Sequence, residues 1–487
     1  MHYNYLYIRV LILYKKQTLA LFNDKILGIL FIGVILFGCK PEKHNKINNN
    51  KFLSTGGVVN GKIICPSIVN DLIVPLNSLN PTPKKGEPKM TIDGIRSFIK
   101  TGGITTITEL LNRLPIHYKT NFSLVEKTKG EGQSSLKFPR IVLFGSDGRF
   151  LVNVSTKPDD PKFNLLDCAE LSSETGKWEF SQFDFTNKEP KFHKNPESCI
   201  RCHGEEPRPV WGTNMDWPGV FGDNEAAGPN GEALSYRHVL TMNEIKKTNS
   251  YSDRFDFLLW SNQKLTSGGI RRIANNAFGA ELLVSNLAMG SATARGVFLR
   301  LKKTYPKRYK MLREELLLLG YEHMVKGTLS KKEKNSLNAT INSFDKHASG
   351  IDGVLKVLGV DTNVAFSLGT LDAEEKPQKN WSLGAGDLYE QVFLQVLNDL
   401  LEEDKQLENL LLGVENTPGI FGCDNLGKNI KEVIDFKMLH LFYLQGSARY
   451  EVNKVYYPQD IENIKDKVFV PIYEKIKTYL KTNANII

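Results

Sequence analysis

The chain lacks the features that mark the extreme classes of protein. Its longest apolar run is thirteen residues, 26–38, which is too short to span a bilayer comfortably, and nothing indicates a multi-span membrane protein. It has no internal repeat, no collagen-like composition and no tight basic and aromatic cluster, so nucleic acid is not an expected partner. Hydrophobic residues make up 41% and charged residues 24% of the 487 residues, ordinary proportions for a folded protein of about two or three domains.

The run at 26–38 is preceded by basic residues and followed directly by Cys39. Its length is that of a signal-peptide core. The tetrapeptide LFGC at 36–39 resembles a bacterial lipobox, in which the cysteine receives a diacylglyceryl group and becomes the new N-terminus. The resemblance implies lipidation at Cys39 and a membrane-anchored lipoprotein of the cell envelope, facing the periplasm or the cell exterior. The alternative is an ordinary N-terminal anchor helix.

Cysteine is scarce, with six residues at positions 39, 65, 168, 199, 202 and 423. Cys199 and Cys202 belong to one motif, described below. Cys65, Cys168 and Cys423 are then left over, an odd number. An exported chain can form one disulfide among them, in any of three pairings, or keep three separate thiols. The sequence does not choose between these alternatives.

Hydrophobic periodicity predicts several local structures. A helical pattern begins at Ile92, and Pro115 stops it. The segments 140–145 and 149–155 form a predicted β-hairpin, and 165–173 with 177–185 form a second one. Further helices are predicted at 255–265, 269–302, 306–321 and 460–480, with a kink at Pro471 in the last, and Ser330 with Glu333 matches a capping box.

The stretch NPESCIRCHG at 195–204 contains the pattern C-x-x-C-H. Asn195 is suited to be the N-cap of a short helix, with Pro196 and Glu197 in its first turn and Gly204 at its end. Such a helix places Cys199, Cys202 and His203 at positions i, i+3 and i+4 on one face. Two thiols can then reach the two vinyl groups of one porphyrin, while the imidazole faces the iron.

The pentad resembles the haem site of c-type cytochromes. The wider run from Pro196 to Gly219, with CHG, PRPVW and WPG, resembles a family of uncharacterised single-haem bacterial lipoproteins. The resemblance implies one covalent haem c, with Cys199 and Cys202 in the thioether positions and His203 as the proximal ligand. Arg208 either pairs with a haem propionate or lies on the surface, and Trp211 is expected in an apolar wall that excludes water from the haem.

The sixth iron ligand decides the chemistry, because methionine or histidine closes the site and an empty position admits a small molecule. Met242 is the first choice and Met215 the second, with His238 and an open site as further alternatives, whereas Met289 is expected in the core. Two other uses of the cysteines stay open. They are a zinc knuckle completed by His193, and a thioredoxin-like C-x-x-C, which requires a strand within a βαβ unit.

The expected fold class is α+β and mostly helical, with a small antiparallel sheet before the haem segment and a large helical C-terminal part. The expected segments are a signal peptide (1–38), a flexible tether (39–89), an α+β domain (90–190), a haem-attachment segment (191–225) and two helical regions (226–350 and 351–487). The expected function is single-electron transfer by a lipid-anchored, mono-haem protein to or from a redox partner protein in the envelope. A c-type haem peroxidase and a haem-based sensor are the alternatives.

Overall fold

The structure is a computed structural model. It describes residues 57–59, 62–64, 82–128, 132–145, 148–204, 219–221, 235–247, 251–260, 281–365, 388–412 and 470–483. These residues form a mixed α+β fold, in which a six-stranded antiparallel sheet is packed with helices. A separate pair of short strands, β1 (Gly57–Val59) and β2 (Lys62–Ile64), lies within the segment expected to be a tether. Their β-branched residues flank Asn60-Gly61, a dipeptide typical of hairpin turns.

The large sheet is a meander in which each strand pairs with the next along the chain, in the order β3-β4-β5-β6-β7-β8. The two predicted hairpins are confirmed as β4 with β5 and β6 with β7. The strands are β3 (Phe122–Val125), β4 (Arg140–Leu143), β5 (Phe150–Val154), β6 (Leu165–Leu171), β7 (Trp178–Asp184) and β8 (Lys191–Lys194). Strands β3 and β8 form the two edges and were not predicted.

Side chains alternate between the two faces of this sheet, which we call face A and face B. Cys168 of β6 points to face A, and its neighbour Ala169 points to face B. Directly paired residues share a face, so Leu151, Ala169 and Phe180 lie side by side on face B across three neighbouring strands. The sheet therefore separates two hydrophobic clusters.

Four helices contribute to the cluster on face A. They are α1 (Ile92–Gly102), α2 (Ile107–Asn112), α3 (Ile116–Lys119) and α5 (Tyr236–Ile245). The predicted helical pattern from Ile92 is confirmed, but it is divided in two. Gly103 takes a left-handed conformation (φ 62°) that ends α1, and the side chain of Thr106 accepts the N–H of Glu109 to begin α2.

One short helix, α4 (Glu197–His203), follows β8, and the remaining described helices lie in the C-terminal half. They are α6 (Glu281–Thr304), α7 (Pro306–Met324), α8 (Lys331–Asn342), α9 (Gly350–Val357), α10 (Thr362–Ala365), α11 (Leu388–Glu403), α12 (Lys405–Leu412) and α13 (Val470–Asn483). Among the described helices, none combines the length and the apolar character needed to cross a membrane.

Several predictions for this half are tested by these helices. The capping box at Ser330 and Glu333 is confirmed at the start of α8. The described part of α13 begins at Val470, directly before Pro471, so the kink predicted there involves residues that lie outside the described ranges. Of the helix expected at 255–265, residues 256–260 are not helical and follow a 3₁₀ turn at Asp253–Phe255, while 261–265 lie outside the described ranges.

Helix α6 is fixed to the sheet by a close backbone approach. Gly176, in the β6–β7 turn, lies against Gly296 of α6, and a Cβ built on Gly296 would be 2.9 Å from the carbonyl oxygen of Gly176. Lys303 Nζ donates to the carbonyl oxygens of Ser173 and Glu174, both at 2.9 Å. Only glycine permits this contact, and it brings α6 onto face B.

Candidate cofactor-attachment site

The C-x-x-C-H motif forms a short helix, α4 (Glu197–His203), directly after the edge strand β8. The predicted end of this helix is confirmed, because Gly204 has a φ of 80° and its N–H donates to the carbonyl of Ile200 at 2.7 Å. The prediction that Asn195 is the N-cap was wrong. Pro196 holds that position, and the side chain of Asn195 makes a different hydrogen bond.

Asn195 connects the helix to strand β7. Its backbone N–H donates to the carbonyl of Phe180 at 2.7 Å, and its Oδ1 accepts the N–H of Phe180 at 2.9 Å. Among the described residues, Asn195 is the one non-glycine residue with a left-handed φ, which is 44°. Asparagine tolerates this conformation better than most residues, so it can turn the chain from the sheet edge into the helix. The start of α4 is thus fixed relative to Phe180.

The motif side chains lie next to face B. Cys199, Cys202 and His203 are each partly exposed, and Cys199 packs against the apolar cluster on this face. The ring of His203 rests on the ring of Phe180, with 4.3 Å between centroids and 34° between planes. The cluster consists of Phe144, Leu151, Ala169, Leu171, Trp178 and Phe180 from the sheet, and Met289 and Ala292 from α6.

This donor set fits the attachment of a c-type haem. Two cysteines on one helical face are spaced for two vinyl groups, and the adjoining imidazole is a common iron ligand. Both cysteines are thiols, and they are partly accessible rather than sealed in the core. The aromatic and aliphatic side chains beside them form an apolar surround and are themselves buried.

The zinc alternative requires His193 to join the motif residues. His193 lies on β8 opposite Gln182 and is exposed. Across the described residues, no three or more histidine, cysteine or acidic side chains are grouped so that they could hold a metal ion. His193 and the three motif residues are all described, and the structure does not bring them into such a group.

The thioredoxin-like alternative requires a different setting for the cysteines. There the C-x-x-C follows a strand of a βαβ unit. Here α4 follows an edge strand of a sheet whose described pairs are all antiparallel. The setting of the motif therefore differs from the one that this alternative needs.

Two of the candidate sixth ligands, Met242 and His238, lie far from the motif. Both are on α5, and Met242 is completely buried in the cluster on face A. Nε2 of His238 is 3.1 Å from Oε2 of Glu126, which directly follows β3. Strands β3 and β7 are four places apart in the sheet, or about 19 Å at the usual strand spacing. Met242 thus lies on the opposite face from Cys199, and the expectation that it faces His203 needs correction.

His238 has its own buried environment. Its ring stacks on Phe221 at 4.3 Å, while Glu126 also accepts a hydrogen bond from Arg237 at 3.0 Å. Burial lowers the pKa of His238, although the hydrogen bond to Glu126 opposes that effect. The N–H of Glu126 donates to the carbonyl of Gly219 at 2.7 Å. This group therefore lies where residues 219–221 meet the edge strand β3.

The other residues singled out in the sequence have different outcomes. Cys168 is a free thiol on face A, and its pKa is raised well above the ordinary value, chiefly by burial. The remaining residues lie outside the described ranges; they are Cys39, Cys65, Arg208, Trp211, Met215 and Cys423.

Sequence reasoning missed the contributions of Phe180 and Met289. Phe180 was recognised only as part of a strand, since the contact with His203 depends on where the chain turns at Asn195. Met289 was assigned to the core, and it is completely buried, but in the same cluster that Cys199 contacts. The periodicity of α6 predicts burial of Met289 and contains no signal for the partner.

Comparisons of the chain with protein-family models, with curated proteins and with solved structures found no match.

Proposed function

We propose that this chain is a lipid-anchored, mono-haem c-type protein that transfers single electrons in the cell envelope. The observation that carries the proposal is the placement of Cys199, Cys202 and His203 on one short helix beside an aromatic face of the sheet. Cys199 and Cys202 hold the haem through thioether bonds, and His203 is the proximal ligand. The haem supplies the one-electron chemistry, and the protein supplies attachment, orientation and shielding from water.

The attachment would need only the two thiols and the two vinyl groups of a haem. Each thiol would add across one vinyl double bond, forming a sulfur–carbon bond and passing its hydrogen to the neighbouring carbon. No oxidant or reductant is consumed overall. The partial exposure of Cys199 and Cys202 supports this proposal, because the thiols must be reached before the site closes.

The residues around the motif have supporting roles. Asn195 fixes the start of α4, and Phe180 supports the imidazole of His203 through ring contact. Trp178 and Leu171 extend the apolar surface, and exclusion of water around an iron centre raises its reduction potential. Arg208 and Trp211 are proposed to complete the haem environment, by pairing with a propionate and by covering the porphyrin edge.

The proposed organisation follows from this role. Residues 1–38 direct export, Cys39 carries the lipid, and residues up to 89 connect the anchor to the α+β part that presents the haem. The fold is mostly helical overall, and the large helical C-terminal part is the proposed docking region for a redox partner protein. Labelling with a radioactive fatty acid tests the anchor, since a Cys39→Ala variant should lose the label.

The test of the haem site is removal of both thiols. Cys199→Ala/Cys202→Ala protein, exported together with haem-maturation proteins, should show no haem after denaturing electrophoresis and peroxidase staining. Cys168→Ala is the matched control, because it removes a cysteine of the sheet that points to face A, away from the motif, and it should stain like the wild type. Haem staining of the double variant, or the absence of staining in the wild type, would contradict the proposal.

A further inference from the structure

The helical C-terminal half contains a cavity of about 470 Å³ that is open to solvent. It lies between the turn that joins α6 to α7, the turn that follows α8 and the end of α9. A volume of this size is in the range of small-molecule sites. The C-x-x-C-H motif does not line this cavity, so a ligand bound here would be independent of the proposed haem.

Gly359 shapes the cavity by a close approach to the α6–α7 turn. Its φ is 85°, which is a left-handed conformation. A Cβ built on it would be 2.6 Å from Cγ2 of Thr304 and 3.1 Å from Cε2 of Tyr305. Only glycine meets both demands, so the chain after α9 is held against Tyr305 and the cavity is a fixed part of the helix packing.

Arg308 places an oriented cation at the cavity. Its guanidinium lies 4.5 Å from the ring centroid of Tyr305 and 5.7 Å from that of Phe344. One N–H of this group donates to the carbonyl of Val357 at 3.4 Å. A guanidinium has five N–H donors, so most of them stay available to a ligand. Because the two rings already restrain the side chain, little further ordering is needed when a ligand binds.

Positive charge predominates around the cavity. Arg308, Lys346 and Lys356 line it together with one carboxylate, that of Asp345. This carboxylate is already engaged, since its Oδ2 is 3.3 Å from Nζ of Lys356 and its Oδ1 accepts the N–H of His347 at 3.0 Å. Among the described residues, no carboxylate lies within ion-pair distance of Arg308 or Lys346. Two cations of the cavity therefore lack a counter-ion in the described part of the chain.

Helix stability does not explain the position of Arg308. It is the third residue of α7, and the first turn of this helix contains no acidic residue. A cation at the N-terminal end of a helix is opposed by the helix dipole. An anion bound beside Arg308 would offset this repulsion.

We propose that the cavity binds a phosphate group, carried either by a soluble small molecule or by a lipid headgroup. The planar guanidinium of Arg308 offers paired donors that match two phosphate oxygens, and the ammonium of Lys346 adds a second positive charge. The rings of Tyr305 and Phe344 line the same space, where the organic part of the ligand would lie.

Phosphorus-31 NMR tests the proposal, because exchange with the bound state broadens the signal of a probe even when binding is weak. Inorganic phosphate and the short-chain lipid dihexanoyl phosphatidylglycerol are each titrated with the full chain, and dihexanoyl phosphatidylcholine controls for contact through the lipid tails. Arg308→Gln should weaken binding about tenfold, and Lys346→Gln about threefold. Lys332→Gln is the matched control and should bind like the wild type. It removes an exposed lysine from the first turn of α8, about 15 Å along that helix from the cavity.

The two probes distinguish the sources of the phosphate. Broadening of inorganic phosphate alone supports a soluble phosphate ester, and broadening of phosphatidylglycerol but not of phosphatidylcholine supports a lipid headgroup. Lys346→Gln keeps the test decisive if Arg308→Gln does not fold, because the side chain of Lys346 is exposed. The absence of broadening for either probe with the wild type overturns the proposal, as does an equal loss of binding in Lys346→Gln and Lys332→Gln. Haem attachment is measured separately, so each proposal can fail without the other.

Discussion

Substitutions of Asn195 test the structure most sharply, because its side-chain hydrogen bond and its backbone conformation at the start of α4 can be changed separately. Its Oδ1 accepts the N–H of Phe180 at 2.9 Å, and its φ of 44° is unfavourable for residues other than glycine, asparagine and aspartate. Asn195→Asp keeps the acceptor, Asn195→Gly keeps the conformational freedom, and Asn195→Ala keeps neither. The backbone hydrogen bond from residue 195 to Phe180 is available in all three variants.

The expected costs follow from these two properties. Loss of the partly buried hydrogen bond should cost about 1 kcal/mol. A left-handed conformation in alanine should cost about 1 kcal/mol more. Local opening of α4 should therefore become easier by about 2 kcal/mol in Asn195→Ala, which corresponds to about a 30-fold increase in the open population. Asn195→Gly should give about a 5-fold increase, and Asn195→Asp little change.

Native-state hydrogen exchange of a peptide covering α4 measures this opening directly. The predicted order of exchange rates is alanine, then glycine, then aspartate close to the wild type. The yield of covalent haem should be lowest in Asn195→Ala, intermediate in Asn195→Gly and close to the wild type in Asn195→Asp. The reason is that the thiols and the imidazole lose their common orientation when α4 opens. Equal exchange in the wild type and Asn195→Ala, or faster exchange in Asn195→Asp than in Asn195→Ala, would refute the assigned role of this residue.

Two further predictions concern the helical part. Gly296→Ala should destabilise the protein by about 1–2 kcal/mol in urea unfolding, because overpacking against Gly176 outweighs the gain in helix propensity, whereas exposed Gly102→Ala should be neutral or stabilising. Burial raises the pKa of Glu315 to about 7, so its contribution to stability is fully present below its unfolded pKa, near 4.5, and is lost as the pH rises through about 7. Thermal unfolding between pH 4.5 and 8 should show this decline in the wild type and a flatter profile in Glu315→Gln, and identical profiles would contradict it.

Local patterns predicted much of the sheet and the motif helix. The two hairpins have strong β-branched and aromatic alternation with glycine-containing turns, so their strands were placed almost to the residue. Strand β8 was missed because its sequence, KFHK, is short and polar, which is typical of an edge strand that pairs only through its backbone. The N-cap assignment of Asn195 failed for a related reason, since its side chain is engaged by β7, a partner distant in sequence.

The position of Met242 could not be predicted from the sequence because it depends on tertiary structure. Met242 and Met289 both occupy apolar positions of helices, and sequence periodicity predicts burial for each of them. Which face of the sheet each helix covers is decided by contacts such as Gly176 with Gly296, between residues far apart in the chain. Met289 was expected in the core because of its apolar helical run, and it is buried in the cluster that Cys199 contacts.

The central claim is that one haem is bonded to Cys199 and Cys202. The alkaline pyridine spectrum of the exported full chain tests it most directly, because the position of its main band reports both the presence of haem and the number of thioether bonds. We predict the spectrum of one haem with two thioether bonds per chain, and its loss in Cys199→Ala/Cys202→Ala. A colourless protein with both thiols intact, or one that binds zinc in place of haem, would contradict the account.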